Sequence, residues 1–399
     1  MASLFAAVEL APRDPILGLT EQFNADPNPA KVNLGVGVYF DENGKLPLLS
    51  CVKAAEAQML ETALPRNYLP IDGIAAYDSA VQDLVFRADT AVRKSGRVAT
   101  VQTLGGTGGL KIGADLLKRL RPQARVLISD PSWENHRALF EGAGFAVGLY
   151  PYYDAQLQGI DFPGMLAALN AAEPGTIVVL HACCHNPTGY DLEPQQWTEV
   201  IAALQTRELL PFLDLAYQGF GDGIAEDGVV VEMFVESGLD FFVATSFSKS
   251  FSLYGERVGA LHTVCASKAE ADRVLSQLKR IIRTNYSNPP THGAQVVTMV
   301  LASPALRAMW EQELGDMRQR IKAMRAELQS RLAQAGTSRD FSFITRQRGM
   351  FSYSGLTRKQ MHRLRHEFGI YGLDSGRICV AALNGRNLDA VVNAVARVL

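Results

Sequence analysis

The chain has 399 residues, 47% hydrophobic and 20% charged, with 39 Lys and Arg against 41 Asp and Glu. That length exceeds what one hydrophobic core usually fills, so two domains are expected, and the composition excludes disordered, collagenous and coiled-coil classes. A formal net charge of −2 gives no reason to look for nucleic acid or an anionic membrane as partner.

The first residues, Met1 to Asp14, lack a basic start, a proper apolar stretch and a cleavage site, so they do not read as a signal peptide. A Pro-rich arm and the Gly-rich turn Asn33–Tyr39 fill the first 45 positions. No apolar run approaches the roughly 20 residues that span a bilayer. From about residue 98 to 265, strand-like runs (Val98–Gln102, Arg125–Ser129, Phe145–Tyr150, Thr176–His181, Pro211–Leu215, Asp240–Thr245 and Arg257–Val264) alternate with amphipathic stretches. Those stretches include Leu110–Leu120, Glu134–Glu141 and Gln195–Arg207. The alternation predicts an α/β fold: a mainly parallel seven-stranded sheet flanked by helices, with its ligand outside the carboxyl ends of the strands. Helical periodicity then runs from Lys268 to about Gly336, interrupted around Ser287–Pro290, and leads into a smaller α+β region at 337–399. No repeat or low-complexity linker separates the parts, so they should pack together. The expected division is 1–45 as an arm and part of the small domain, 46–310 as the large domain, and 311–399 as the small C-terminal domain.

Five scattered cysteines (Cys51, Cys183, Cys184, Cys265 and Cys379) suggest reduced thiols and the cytoplasm. His181, Cys183, Cys184 and His185 invite a metal reading. On an extended run they would alternate between faces, so no metal site is expected and Cys183 and Cys184 read as buried strand residues.

Several polar residues fall at predicted strand ends. Asp214 follows Pro211–Leu213, with Tyr217 three residues on; Lys249 follows Phe241–Ser246; Asn186 follows the strand ending at His181; Arg257 closes a short loop after Lys249. Gly105, Gly106, Thr107 and Gly108 lie between a strand and a helix. They form no P-loop, lacking the Lys-Ser/Thr pair, and they fit the dinucleotide pattern poorly because Asp130 is followed at once by Pro131. Singly, each residue has a plain structural explanation as a turn, a cap or a solvated charge. Jointly they meet the needs of one cofactor. A phosphate wants helix N-terminal amides, hydroxyls and a bidentate cation, which Gly106, Thr107, Gly108, Ser246 and Arg257 can supply. A pyridine ring used as an electron sink wants a carboxylate at its nitrogen, for which Asp214 is suited. Its phenolic oxygen wants the neutral donors Asn186 and Tyr217, and the amine that bonds the cofactor is Lys249.

The stretches Asn186-Pro187-Thr188-Gly189, Asp214-Leu215-Ala216-Tyr217, Ser246-Phe247-Ser248-Lys249 and Arg257-Val258-Gly259 resemble, in order and spacing, the fold-type I pyridoxal-phosphate aminotransferases of the aspartate/aromatic subgroup. The likeness runs from Asp14 to the C-terminus and includes Asn67-Tyr68-Leu69-Pro70, Pro131-Ser132-Trp133, Arg283 to Pro290 and Gly376 to Val380. It implies the fold of that family, with 46–310 as the domain that binds pyridoxal 5′-phosphate. It also implies a ping-pong reaction between amino acids and 2-oxo acids. Trp133 would stack on the cofactor ring, His136 would support Asp214, Arg377 would clamp the α-carboxylate, and Gly37 would let the backbone close over substrate. Tyr68 and Arg283 would reach the site of a neighbouring subunit, Tyr68 to the phosphate and Arg283 to a distal carboxylate, which implies a homodimer with shared sites.

The resemblance divides on substrate. Phe247 to Arg257 is similar to the aromatic-amino-acid enzymes, whereas Arg318-Gln319-Arg320-Ile321 and Asp340-Phe341-Ser342-Phe343 are similar to the aspartate enzymes. The expectation is transfer from aromatic amino acids, and aspartate, to 2-oxoglutarate, with a strict aspartate aminotransferase as the alternative. The same cofactor site could serve β-elimination or decarboxylation, but two carboxylate-binding arginines favour transfer. A cofactor-dead homologue would need Lys249 or Asp214 replaced, and both are present.

Overall fold

The apolar runs between residues 98 and 264 assemble into one sheet in the computed structural model, which describes residues 3–11, 14, 16–63, 65–87, 90–337 and 339–399. Its strands are β1 (Val98–Leu104), β2 (Arg125–Asp130), β3 (Ala146–Pro151), β4 (Ile177–His181), β5 (Leu210–Leu215), β6 (Phe241–Ser246) and β7 (Val258–Val264). They lie in the order β1-β7-β6-β5-β4-β2-β3. Every neighbour is parallel except β7, which runs antiparallel to both β1 and β6. A reversed strand brings its start to the edge where the others end. Val258 therefore pairs with Leu104, and Gly259 with Ser246.

Strands β6 and β7 are buried along their whole length, as strands covered on both faces must be. Alternate residues serve opposite cores. Ile177, Phe212, Phe242 and Ala244 pack with the helices Gly105–Leu120 and Glu134–Gly142. Val178, Leu213, Phe241 and Val243 pack with the helices Ala75–Phe86 and Pro194–Thr206 on the other face.

Two local expectations need correction. The helix expected from Leu110 begins at Gly105, so Gly106, Thr107 and Gly108 form its first turn and do not precede it. Gly105 leaves β1 with φ +67°, a conformation open to glycine. Glycine costs about 1 kcal/mol against alanine inside a helix, which is why sequence periodicity placed the start late. Cys183 and Cys184 are buried but not in a strand: β4 stops at His181, and Cys184 turns with φ +51°. The argument that neighbours alternate between faces therefore does not apply to them.

After Lys268 come three helices, Lys268–Asn285, His292–Ala302 and Pro304–Gln334. The chain breaks at Ser287–Pro290 as expected. It breaks again at Ser303, whose hydroxyl accepts the Leu306 amide (3.4 Å) ahead of Pro304. Val32–Asn33 pairs in parallel with Ile370–Tyr371, so the N-terminal arm lends a strand to the C-terminal region. Met1, Ala2, Pro12, Arg13 and Pro15 of that arm lie outside the described residues. Among the described residues, no helix is long and apolar enough to cross a membrane.

Candidate active site

A cavity of about 240 Å³ opens where the parallel strands end. Asp214 reaches it from β5, and its backbone is paired with His181 at the end of β4. Ser246 closes β6, and Lys249 follows in the next turn. Arg257 precedes β7, so the reversed strand is what delivers this residue to the same edge. It adopts φ +54°, and its guanidinium lies over Gly105, where a Cβ would stand 2.7 Å from Nη2. Gly106 and Thr107, in the first turn of the helix Gly105–Leu120, line the same end, where a helix leaves its first amides without intrahelical partners.

The opposite wall comes from Trp133, Asn186, Tyr217 and Arg377. Arg377 is only 1% exposed: Nη1 donates to Asn186 Oδ1 (3.1 Å), Nη2 to the Gly35 carbonyl (2.6 Å), and among the described residues Nε has no partner. Gly37 is required beside it, since a Cβ there would meet the Phe351 ring at 2.8 Å. Behind Asp214, His136 Nε2 lies 3.0 Å from Oδ2 while its Nδ1 meets Ser132 Oγ at 2.9 Å. An ionised carboxylate can only accept, so Nε2 carries the proton that it donates.

Burial alone would raise the Asp214 pKa. The His136 hydrogen bond, assisted by the Lys249 ammonium, overrides it and holds the carboxyl below its ordinary value. Burial also dominates at Lys249 and pulls the amine down to about 8; Asp214 opposes the fall, and Arg257 and Arg377 assist it. The Lys249 Nζ sits 4.8 Å from the centroid of the Tyr217 ring, whose own hydroxyl is raised by burial. Desolvation, helped by the His136 charge, drives His181 down to about 3 and keeps it neutral.

Eleven of the fourteen predicted site residues therefore line one cavity: Gly37, Gly106, Thr107, Trp133, Asn186 and Asp214 together with Tyr217, Ser246, Lys249, Arg257 and Arg377. His136 joins them through Asp214. Tyr68 and Arg283 do not. Tyr68 is 92% exposed, and the exposed Arg283 donates to Ser287 Oγ on its own helix end. The four-residue His/Cys cluster also splits up. His185 bonds Ser129 and Thr188, His181 sits by His136 and Asp214, and Cys183 and Cys184 sit by Asp227. Sequence reading missed His181, Tyr254 and Phe351 as cavity residues. His181 ends a strand next to Asp214, a signal that the metal question obscured. Tyr254, in a single helical turn, and Phe351, at the start of a short strand, carried no local signal, because aromatic residues usually serve packing.

The family pattern described as "Aminotransferase class I and II" matches residues 29–395. The chain belongs to that family. An aspartate aminotransferase of Pseudomonas aeruginosa is 62% identical over the full length of both chains. The aromatic-amino-acid aminotransferase of Escherichia coli is 50% identical, over 99% of this chain and 100% of that one. A solved aromatic-amino-acid aminotransferase from Burkholderia pseudomallei, covalently bound to pyridoxal phosphate, is 66% identical, with a TM-score of 0.98 and full coverage of both chains. The α/β fold expected from the strand alternation, and the aminotransferase fold that the motif resemblance implied, are thus the fold this chain has.

Proposed function

We propose that this aminotransferase moves amino groups from aromatic amino acids and aspartate to 2-oxoglutarate, with Lys249 as the residue that bonds the cofactor and carries the proton. The observation behind it is a single cavity holding an amine lowered to about 8, a hydrogen-bonded carboxylate and a buried arginine whose Nε has no partner among the described residues. The cofactor is pyridoxal 5′-phosphate, and the donor set suits it. The Gly106 and Thr107 amides, the Thr107 and Ser246 hydroxyls and the Arg257 guanidinium match a phosphate, while Asn186 and Tyr217 match a phenolate oxygen. When bound, pyridoxal phosphate supplies an aldehyde to hold the amino group and a ring to take the electrons of the breaking Cα–H bond.

The protein's part is positioning and proton traffic. Asp214, oriented by His136, keeps a proton on the ring nitrogen, which a free pyridine would lose at neutral pH. Trp133 covers the ring. Arg377 grips the α-carboxylate with Nε and one further N–H, and Gly37 leaves room above it. Lys249, once released from the cofactor, is neutral in a useful fraction near pH 8 and moves the proton between Cα and the cofactor carbon. Tyr68 and Arg283 of a second copy complete the phosphate end and the side-chain end, so the active form is a homodimer; their exposure, and a cavity lining in this chain that includes neither, support that.

The large domain is 46–310, with 1–45 and 311–399 forming the smaller one, a division supported by the pairing of Val32–Asn33 with Ile370–Tyr371. The protein works in the cytoplasm, in keeping with five free, buried cysteines. The test is kcat/KM for phenylalanine, tyrosine and aspartate with 2-oxoglutarate. Comparable values support the dual reading; a preference for aspartate over both aromatics beyond about 10³, roughly 4 kcal/mol of discrimination, overturns it in favour of a strict aspartate enzyme.

A further inference from the structure

Arg325, on the helix Pro304–Gln334, is 3% exposed and lies outside the cavity. Among the described residues it has no carboxylate partner, an unusual state for a buried cation. Its fork holds neutral acceptors instead. Nη2 donates to the carbonyls of Gly349 (2.7 Å) and Phe351, and Nη1 reaches the Ile344 carbonyl (3.4 Å) and Gln347 Oε1 (3.5 Å). Burial draws its pKa down to about 10, so it stays charged at neutral pH.

The segment that Arg325 grips touches Arg377 by two routes. The Phe351 ring lies 4.2 Å from the Arg377 guanidinium and meets the Tyr217 ring edge-on at 5.9 Å. The Arg348 amide donates to the Gly189 carbonyl (2.6 Å), which fixes the turn carrying Asn186, and Asn186 accepts Arg377 Nη1. Both routes start from the segment that this buried fork ties to the long helix; the more exposed Asp222 carboxylate adds a second tie, meeting Lys322 at 2.8 Å and Arg348 at 3.0 Å.

We infer that Arg325 is a positioning residue for carboxylate recognition: it pins residues 344–351 so that Phe351 and Asn186 hold the Arg377 fork ready for substrate. The inference rests on the reading that Arg377 binds the substrate α-carboxylate. A side chain already held in its bound geometry loses little freedom when the ligand arrives, so affinity for the carboxylate should depend on a residue that never touches it.

Arg325→Met keeps the length of the side chain and removes its charge and donors. The probe is 3-phenylpropionate, which has the carboxylate and ring of phenylalanine but no amine to react, titrated into the cofactor-loaded protein by absorbance. Its affinity should weaken by about 10–100-fold, the range for losing buried hydrogen bonds. KM for phenylalanine should rise by a similar factor while kcat stays within about 3-fold, a split that general loss of structure would not give. Arg325→Lys keeps the charge without the fork and should fall between the two, and it is the variant to read if Arg325→Met does not fold. Arg377→Leu is the reference. Unchanged probe affinity there overturns the carboxylate site itself; lost affinity there, with native affinity in folded Arg325→Met or Arg325→Lys, overturns only the role of Arg325. A fall in kcat at constant KM in the Arg325 variants overturns it as well.

Discussion

The cavity at the ends of β4, β5 and β6 and the surface carrying Tyr68 and Arg283 are built on different terms. In the first, one chain gathers Lys249, Asp214, Arg257 and Arg377 around one cavity, buries Asp214 and Arg377, and sets the charges against one another. In the second, the same chain displays a 92% exposed tyrosine and an exposed arginine that donates to Ser287 just past its own helix. On the proposed reading, the groups that move the proton lie within one protomer, whereas a second copy supplies Tyr68 at the phosphate end and Arg283 at the end that selects the substrate side chain. Variants of the first region should damage every substrate alike, and variants of Arg283 in the second should discriminate between substrates.

Lys249→Ala tests the first half most severely. Cofactor should remain bound through the phosphate and ring contacts, but turnover with phenylalanine and aspartate alike should fall by roughly 10⁵-fold or more. Near-normal transamination would remove Lys249 from its role. Asp214→Asn should cost less, about 3–4 kcal/mol of barrier or 10²–10³-fold in kcat for both substrates, because a neutral amide cannot hold a proton on the ring nitrogen. Full activity in that variant would remove the carboxylate from the mechanism.

Arg283→Leu should separate the substrates. For aspartate, kcat/KM should drop by roughly 10²-fold, the loss of one charged pair, while phenylalanine and tyrosine change little or improve. An arginine left facing an aromatic ring would be a buried unpaired cation, so it should swing toward water when the ring enters. Equal loss for all three substrates would break the distinction between the two regions.

The smallest effect is a titration. In the cofactor-free protein, Lys249 should lose its proton near pH 8, not 10.5, as read by the pH dependence of its carbamylation by cyanate. Asp214 opposes that depression, so Asp214→Asn should move the midpoint lower still. The sign for stability follows. Between about pH 8 and 10.5 the unfolded chain keeps a proton that the folded chain has shed, so this group makes the fold more stable as pH rises through that window. A midpoint near 10.5 would show that the amine is not desolvated.

Sequence periodicity was a good guide where strands are buried on both faces, because continuous apolar runs such as Phe241–Ser246 have few other readings. It failed at Gly105–Gly109, where a helix starts on residues that disfavour helices, and at Cys183–Cys184, where a turn is hidden inside an apolar stretch. Lys249 and Asp214 were legible as charges at strand ends. Arg257 was legible only by position in the chain; its place in the cavity depends on β7 running backwards, a tertiary fact. Phe351 and Arg325 were beyond reach, since a buried aromatic and a helical arginine look ordinary until their contacts with Arg377 and the loop at 344–351 are seen.

The division between a one-chain reaction centre and a two-chain specificity site is tested most directly by mixing Lys249→Ala chains with Arg283→Leu chains. Neither parent should turn over aspartate well. In a two-fold symmetric heterodimer, one of the two sites regains both residues, so after full subunit exchange aspartate activity should recover to about a quarter of native. No recovery, with heterodimers confirmed by mass spectrometry, would contradict the sharing of Arg283 across subunits.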